Sequence, residues 1–434
     1  MSSASPALVS RSHPVLRHRR ALVATSVGNL LEQYDNLIYA YSATALATLF
    51  FPGESSATGV LSTFAVFAVG FFARPLGTVV FGHIGDRFGR RPALFISVVV
   101  MGAATALIGC LPTHQSAGNL APVLLVVLRL VQGFAVAGEW AGSAAMLVEY
   151  APDGRRGVFG SFNQVSTAAG FLLAAAVVAV NEAAFPGDAM LSFGWRVPFL
   201  LGAVTAAAAA FLRLGLEETP AFVEQESVTA HRVNPLRAAF AQQKAAMLRG
   251  FGFTVGWTVA YFFFLTYLPT YLRSEAGVPA GVVNASTLVG IGVLTVSIVL
   301  FGLWSDRIGR KKLLLAGSGS FVLLSFPVMA LFSTGSTAAV YGGQVLIALV
   351  LGCFSGPGPA ALAELFPTTV RYSALGIGYN FAVMAFGGTA AFIASGIAAA
   401  TGSGPAVAIL PTVAALVTFL TVCAMPESYR SPLR

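Results

Sequence analysis

Apolar residues in this chain come in long unbroken blocks. They show neither the alternation of a half-buried strand nor the narrow stripe of a helix that faces water on one side. Twelve blocks approach the ~20 residues at 1.5 Å each that carry an α-helix across a ~30 Å hydrocarbon core. They cover 21–45, 57–83, 92–111, 119–147, 157–180, 195–215, 247–272, 281–303, 312–333, 338–363, 371–400 and 403–425. Gly and Pro interrupt several, which membrane-embedded helices tolerate where neighbours satisfy the freed backbone groups. The pattern predicts an all-α membrane protein with twelve transmembrane helices.

The polar punctuation repeats. Gly82-His83-Ile84-Gly85-Asp86-Arg87-Phe88-Gly89-Arg90-Arg91 follows the second block, and Gly302-Leu303-Trp304-Ser305-Asp306-Arg307-Ile308-Gly309-Arg310-Lys311 follows the eighth. A second mark closes the fourth block of each set of six: Glu149 and Glu364 each precede a proline by three residues and an arginine, Arg156 or Arg371, by seven. Two marks in matching places point to duplication of a six-span unit, the parallel repeat of two-fold transporters. The longest polar stretch, Leu216 to Gln243, falls between blocks six and seven. The reading therefore divides the chain into a six-helix bundle over 1–215, a cytoplasmic linker over 216–245 and a second bundle over 246–434, pseudo-symmetric with the first.

Composition turns this pattern into a solvent assignment. Only 10% of the 434 residues are charged and 56% are hydrophobic, with a mean hydropathy of +0.79; soluble chains run nearer 25% charged. Lipid is the matching solvent. Of 25 Lys and Arg, 21 fall on one side if the N-terminus is placed inside, so the positive-inside rule puts both termini and both charged phrases in the cytoplasm, in a multi-pass protein of the cell (plasma or inner) membrane. The basic segment Met1 to Arg20 leads into a full-length apolar block without a clean cleavage site, which reads as a first span. The net charge of +8 is scattered through short loops, so it is no nucleic-acid signature. Cys110, Cys353 and Cys423 sit in apolar blocks without pairing or ligand spacing. His83 and His114 stand alone, which argues against a metal site. No nucleophile–base pattern and no cofactor motif is present, so the reading expects no enzyme and no cofactor.

The charged phrase and several further segments resemble the major facilitator superfamily over essentially the whole chain. Gly28-Asn29-Leu30-Leu31-Glu32-Gln33-Tyr34-Asp35, Ala73-Arg74-Pro75-Leu76-Gly77, Arg129-Leu130-Val131-Gln132-Gly133, Ala137-Gly138-Glu139-Trp140, Gly194-Trp195-Arg196-Val197-Pro198-Phe199 and Glu218-Thr219-Pro220 are similar to its metabolite:proton symporter subfamily. Gln33 and Asn36 stand where that subfamily usually has aromatics. The resemblance implies uptake of small organic acids or zwitterionic osmolytes together with a proton.

Five charged residues lie well inside the blocks: Glu32, Asp35, Arg74, Arg129 and Glu139. Each is costly in lipid and normally faces a bundle interior or a water-filled cavity. Glu32 and Asp35, three apart, share a helix face near mid-depth. Arg129 and Glu139 sit ~15 Å apart along one span, able to line one cavity at different heights. A carboxyl deprived of water holds its proton, and a nearby arginine loosens it. Asp35 is thus the first choice for proton carrier, followed by Glu32 and Glu139. Arg129, then Arg74, are the choices for a substrate carboxylate, because guanidinium offers a planar fork to two oxygens. Gln132 joins the substrate-binding set beside Arg129. Further candidates are Asn163, Gln164, Gln344 and Asn380, amides that need partners at depth, and Trp257, Tyr261 and Tyr379, aromatics with a polar tip. A fixed ion-pair network or plain helix packing is the competing account of all of these.

The charged phrases read as a cytoplasmic gate. Asp86, Arg87, Arg90, Arg91, Glu149 and Arg156 would form it with Asp306, Arg307, Arg310, Glu364 and Arg371. The aspartates would pair with arginines across helix ends, such as Arg156 or Arg371, or meet a helix N-terminus. The reading is a secondary transporter whose two halves rock about a central cavity, importing a di- or tricarboxylate or hydroxy-acid with a proton. The alternatives are a betaine or proline carrier, a proton-coupled exporter of drug-like compounds, and a non-transporting membrane sensor. Nine residues follow Met425, too few for a long charged coiled coil of the osmosensing kind. Expected partners are a small molecule, a proton and the bilayer, and no nucleic acid; a monomer suffices.

Overall fold

The computed structural model describes residues 14–52, 56–88, 90–136, 139–149, 151–214, 243–367, 371–431 and 433. Nearly all of the linker expected at 216–245 lies outside this set, as do the side chains of Asp86, Arg87, Arg90, Arg91 and Glu139. Among the described residues the regular structure is entirely helical. Twelve long helices follow the twelve blocks. The first half holds α1 (Pro14–Tyr41), α2 (Ser56–Phe72 continuing as Arg74–Phe88), α3 (Arg90–Cys110), α4 (Leu120–Ala135 continuing as Glu139–Glu149), α5 (Arg156–Ala184) and α6 (Val197–Leu214). The second half holds α7 (Lys244–Phe262, a π turn Phe263–Tyr267, then Leu268–Ser274), α8 (Ala280–Ile308), α9 (Arg310–Phe332), α10 (Thr337–Ser355 continuing as Gly358–Glu364), α11 (Arg371–Phe386 continuing as Gly388–Thr401) and α12 (Ile409–Cys423).

Ten of these helices are long and apolar enough to cross a membrane by composition alone. The other two are α1, which carries Glu32 and Asp35, and α3, whose apolar part spans Phe95–Cys110. Large apolar side chains such as Val204, Phe211, Leu248 and Leu323 point outward, as a bilayer, and not water, requires.

The packing repeats with a shift of six. In the first half α1 packs on α5, α2 on α4, α3 on α6 and α3 on α4; in the second α7 packs on α11, α8 on α10, α9 on α12 and α9 on α10. Across the halves α5 runs along α8 and α2 along the second part of α11, while the second part of α4 meets the first part of α11. The α7 window is 94% buried and the α12 window 39%, so α7 is an inner helix and α12 a lipid-facing one.

Helix breaks cluster on inner helices. Pro75 follows the break at Ala73 in α2, and Gly356 and Pro357 break α10, where a missing N–H and a fixed φ interrupt the ladder. The π turn of α7 falls at mid-span. Such irregular backbone is tolerated at membrane depth where it borders a cavity or other protein.

Candidate functional site

Six helices, α1, α2, α4, α5, α7 and α11, enclose a cavity of about 650 Å³ of unfilled space between the halves. The first half presents Glu32 and Gln33 on α1, Arg74 at the break of α2, Trp140 on the second part of α4, and Gln164 and Phe171 on α5. The second half presents Trp257, Tyr261 and Phe262 on α7, and Tyr379 and Asn380 on α11. Helix irregularities adjoin two of these positions: Arg74 follows the interruption at Ala73 and Phe262 precedes the π turn.

The cavity has a charged wall and an aromatic wall. Glu32 and Arg74 are both buried, face the same space and interact electrostatically. The Arg74 guanidinium lies 4.3 Å over the Phe71 ring, a contact that holds a cation without neutralising it. Trp140 and Tyr379, from opposite halves, stack face to face at 3.8 Å and 6°. Trp257 meets Trp140 edge-on at 5.7 Å, and Tyr261 meets Phe171 edge-on at 5.8 Å. The indole N–H groups are held from behind: Trp257 Nε1 donates to Ser355 Oγ at 2.9 Å, and Trp140 Nε1 to Gln164 Oε1 at 3.4 Å. Both rings are thereby fixed with carbon surface toward the cavity.

Several expected site residues are placed elsewhere. Arg129 is 1% exposed but does not line the cavity. It donates to Gln132 Oε1 (2.9 Å) and to the Phe67 carbonyl (3.4 Å), and lies over the rings of Tyr39 (4.5 Å) and Phe67 (4.9 Å). Gln132 in turn donates to Thr105 Oγ1 at 2.7 Å, so the pair braces α2, α3 and α4. Asn163 donates to the Trp140 carbonyl (3.2 Å), and its own carbonyl accepts from Asn29 (3.2 Å); it ties α1, α4 and α5 behind the cavity. Gln344 packs beside Gly290 between α10 and α8.

Asp35 departs from Glu32. Three residues on a helix are about 60° apart, enough to turn Glu32 into the cavity and Asp35 toward α3 and α6. Asp35 is 1% exposed, and neither carboxylate oxygen has a hydrogen-bond partner. The neighbouring Thr205 hydroxyl donates instead to the Gly202 carbonyl at 2.9 Å. A side chain at Gly202 would sit 3.0 Å from Asp35 Oδ1 and 2.5 Å from Thr105 Cγ2. Glycine there allows Asp35 to approach the Arg129–Gln132–Thr105 chain.

The second charged phrase forms a latch on the basic face. Asp306 accepts from the backbone N–H groups of Gly157 (2.8 Å) and Val158 (3.0 Å), the first turn of α5, where a helix N-terminus favours an anion. It also pairs with Arg310 at 2.8 Å. That is a correction to the expected pairing with Arg156 or Arg371: the partner is on the adjoining helix, brought round by Gly309 at φ +103°. Glu364 takes Arg310 (3.4 Å) and Arg156 (3.7 Å). Arg371 pairs with Glu149 at 2.6 Å and donates to the Ala363 and Phe366 carbonyls. Arg307 is exposed. Gly157 and Gly302 face each other across the halves, and a Cβ on Gly157 would fall 2.6 Å from the Gly302 carbonyl oxygen. The C-terminal strand of chain adds to the latch: Ser428 donates to Glu364 at 2.6 Å, and Arg156 to the Ser431 carbonyl at 2.8 Å.

Sequence reasoning missed Trp140, which it quoted only as the neighbour of Glu139, and missed Phe171 and Phe262. A tryptophan next to an intramembrane glutamate, opposite a tyrosine in the paired half, was the available signal for the first. Nothing distinguishes the phenylalanines among 34 in the chain.

Comparison with known proteins places this geometry. The Major Facilitator Superfamily matches residues 36–371 and 293–434. A proline/betaine transporter of Escherichia coli (strain K12) is 33% identical over 427 residues, covering 96% of this chain and 85% of that protein. The ectoine/proline transporter ProP of Corynebacterium glutamicum is 33% identical, covering 97% and 86%. The glycine betaine/proline/ectoine/pipecolic acid transporter OusA of Dickeya dadantii is 35% identical, covering 86% and 76%. Among solved structures, the proton:xylose symporter XylE bound to 6-bromo-6-deoxy-D-glucose superposes with a TM-score of 0.79 at 17% identity, over 97% of this chain and 98% of that one. XylE from E. coli in a partially occluded inward-open conformation gives 0.77 at 18% identity, over 95% and 99%.

Proposed function

The chain belongs to the major facilitator superfamily, and from that premise we propose that it carries a small zwitterionic osmolyte, such as betaine or proline, into the cell with a proton. The carrying observation is the charge balance of the cavity. Among the described side chains that line it, one acid, Glu32, opposes one base, Arg74. A solute with one ammonium and one carboxylate matches that pair without leaving a buried charge unmatched. A di- or tricarboxylate needs an excess of cations, and Arg129, which the sequence offered as the second one, is tied up elsewhere. The first expectation of an organic anion is therefore set aside for the zwitterion. The named relatives support the same choice.

In this reading Arg74 takes the carboxylate. The faces of Trp140, Tyr379 and Trp257 take the methylated or ring ammonium, which aromatic quadrupoles attract. The Trp140–Tyr379 stack also joins the two halves, so the solute binds at a seam that must part when the carrier opens. Asp35 carries the proton: protonated it is neutral and fits its partnerless site; ionised it needs a donor, which a rearranged Arg129 chain or entering water supplies. The loop arginines orient the basic face toward the cytoplasm, with both termini there. The Asp306, Glu364 and Arg371 pairs then act as the inner latch of alternating access.

The test is uptake into proteoliposomes under an inward proton gradient. Labelled glycine betaine and proline should accumulate, and each should compete with the other. Accumulation of succinate or citrate with no competition by betaine would overturn the reading.

A further inference from the structure

At the face opposite the Asp306 latch, the halves are joined by a second polar cluster that has no counterpart in the sequence motifs. Glu182, at the end of α5, accepts two hydrogen bonds from the Arg273 guanidinium on α7, Oε1 from Nη1 at 2.7 Å and Oε2 from Nη2 at 3.1 Å. Asn284, in the first turn of α8, donates to Glu182 Oε2 at 2.8 Å and accepts from Arg273 Nη2. The ion pair is mostly shielded, with side-chain exposures of 17% and 22%. It is a fork-to-fork contact, the stronger kind of arginine pairing, and it spans the seam between α5 and α7–α8.

Directly against this cluster lies a small recess, separate from the central cavity and bordered by α1, α5, α7 and α8. Its polar lining is incompletely used. Tyr41 and Thr287, 9% and 5% exposed, both line it, and neither hydroxyl has a hydrogen-bond partner. The Arg273 Nε–H, on the same recess, is also buried and unpartnered. Three donors left without acceptors in a membrane protein interior are costly. Together they offer donors of the kind a carboxylate accepts.

We propose that this recess is an outer entry site for the carboxylate of the transported solute, and that its occupation frees Glu182 from Arg273 and unlatches the outer face. The carboxylate takes the guanidinium and the Tyr41 and Thr287 hydroxyls. Glu182, 22% exposed, moves out into water with its charge intact. The exchange swaps one carboxylate for another on Arg273, so no buried charge is stranded and the latch opens when solute arrives from outside. The solute's identity rests on the zwitterion reading; the latch does not.

The test places a single reporter, Ala175→Cys, in the recess of an otherwise cysteine-free carrier and follows its labelling by a membrane-impermeant maleimide from outside. Glu182→Gln should speed labelling about 5-fold, as loss of a modest ion pair shifts a two-state balance. The charge-swapped pair Glu182→Arg/Arg273→Glu should return it toward the parent rate. In the parent, saturating acetate or glycine betaine should also speed labelling, and choline, which lacks the carboxylate, should not. Unchanged labelling in Glu182→Gln, or no recovery in the swap, overturns the latch. If betaine is transported but neither it nor acetate changes labelling, the entry site falls and the zwitterion reading stands. If acetate speeds labelling while betaine is not transported, the entry site stands and the zwitterion reading falls.

Discussion

Two aspartates in this chain show opposite ways of keeping a charge in a membrane protein. Asp306 has both oxygens satisfied, by two backbone N–H groups and by Arg310. Asp35, well inside α1, is fully buried and has no partner for either oxygen. The contacts of the first break only when helices separate; the second makes no such contact for a helix movement to break. In the proposed function the saturated carboxylate latches and the bare one couples.

The largest effect that sharpens this contrast is at Asp35. Asp35→Asn should lower uphill uptake of glycine betaine to the level of protein-free liposomes while sparing exchange of internal for external solute. Loss of exchange as well would make Asp35 a structural residue. At the other pole, Arg371→Ala removes the partner of Glu149 and the donor to two carbonyls. It should shift the balance toward opening at the basic face by about tenfold or more, read as faster labelling of a cysteine placed beside the cavity from that side; uphill coupling should persist in what transport remains.

Between the poles lies the cavity wall. Trp140→Leu should raise KM for glycine betaine about 2–30-fold, the span of a cation–π contact of ~0.5–2 kcal/mol, with Trp140→Phe much milder. An unchanged KM in the leucine variant would remove the aromatic wall from recognition. The smallest effect belongs to a buried amide outside the site. Gln344→Leu should leave KM within about twofold, because Gln344 packs between α8 and α10 away from the cavity.

The fold was legible because its causes are local. Block length reports on lipid thickness, and both charged phrases stand at helix ends where short-range order suffices. The cavity was legible in part. Arg74, Trp257, Tyr261, Tyr379 and Asn380 were singled out as costly or amphipathic groups at depth, and they line one cavity. Arg129 was singled out for its charge at depth, but its guanidinium is held by Gln132 and the Phe67 carbonyl, partners on two helices that no single stretch of sequence brings together. Asp35 was joined to Glu32 because three residues apart reads as one face, although the 60° between them separates a cavity wall from a helix contact. The Glu182–Arg273 pair was invisible for another reason. Each residue sits singly at a span end, and only the crossing of α5 with α7 and α8 brings them within 3 Å.

The central claim, a bare carboxylate that moves a proton with a neutral solute, is tested most directly by internal pH. Proteoliposomes loaded with a pH dye and given glycine betaine outside should acidify with the parent protein and stay flat with Asp35→Asn. Acidification of equal rate in Asp35→Asn, or betaine entry without acidification in the parent, would contradict it.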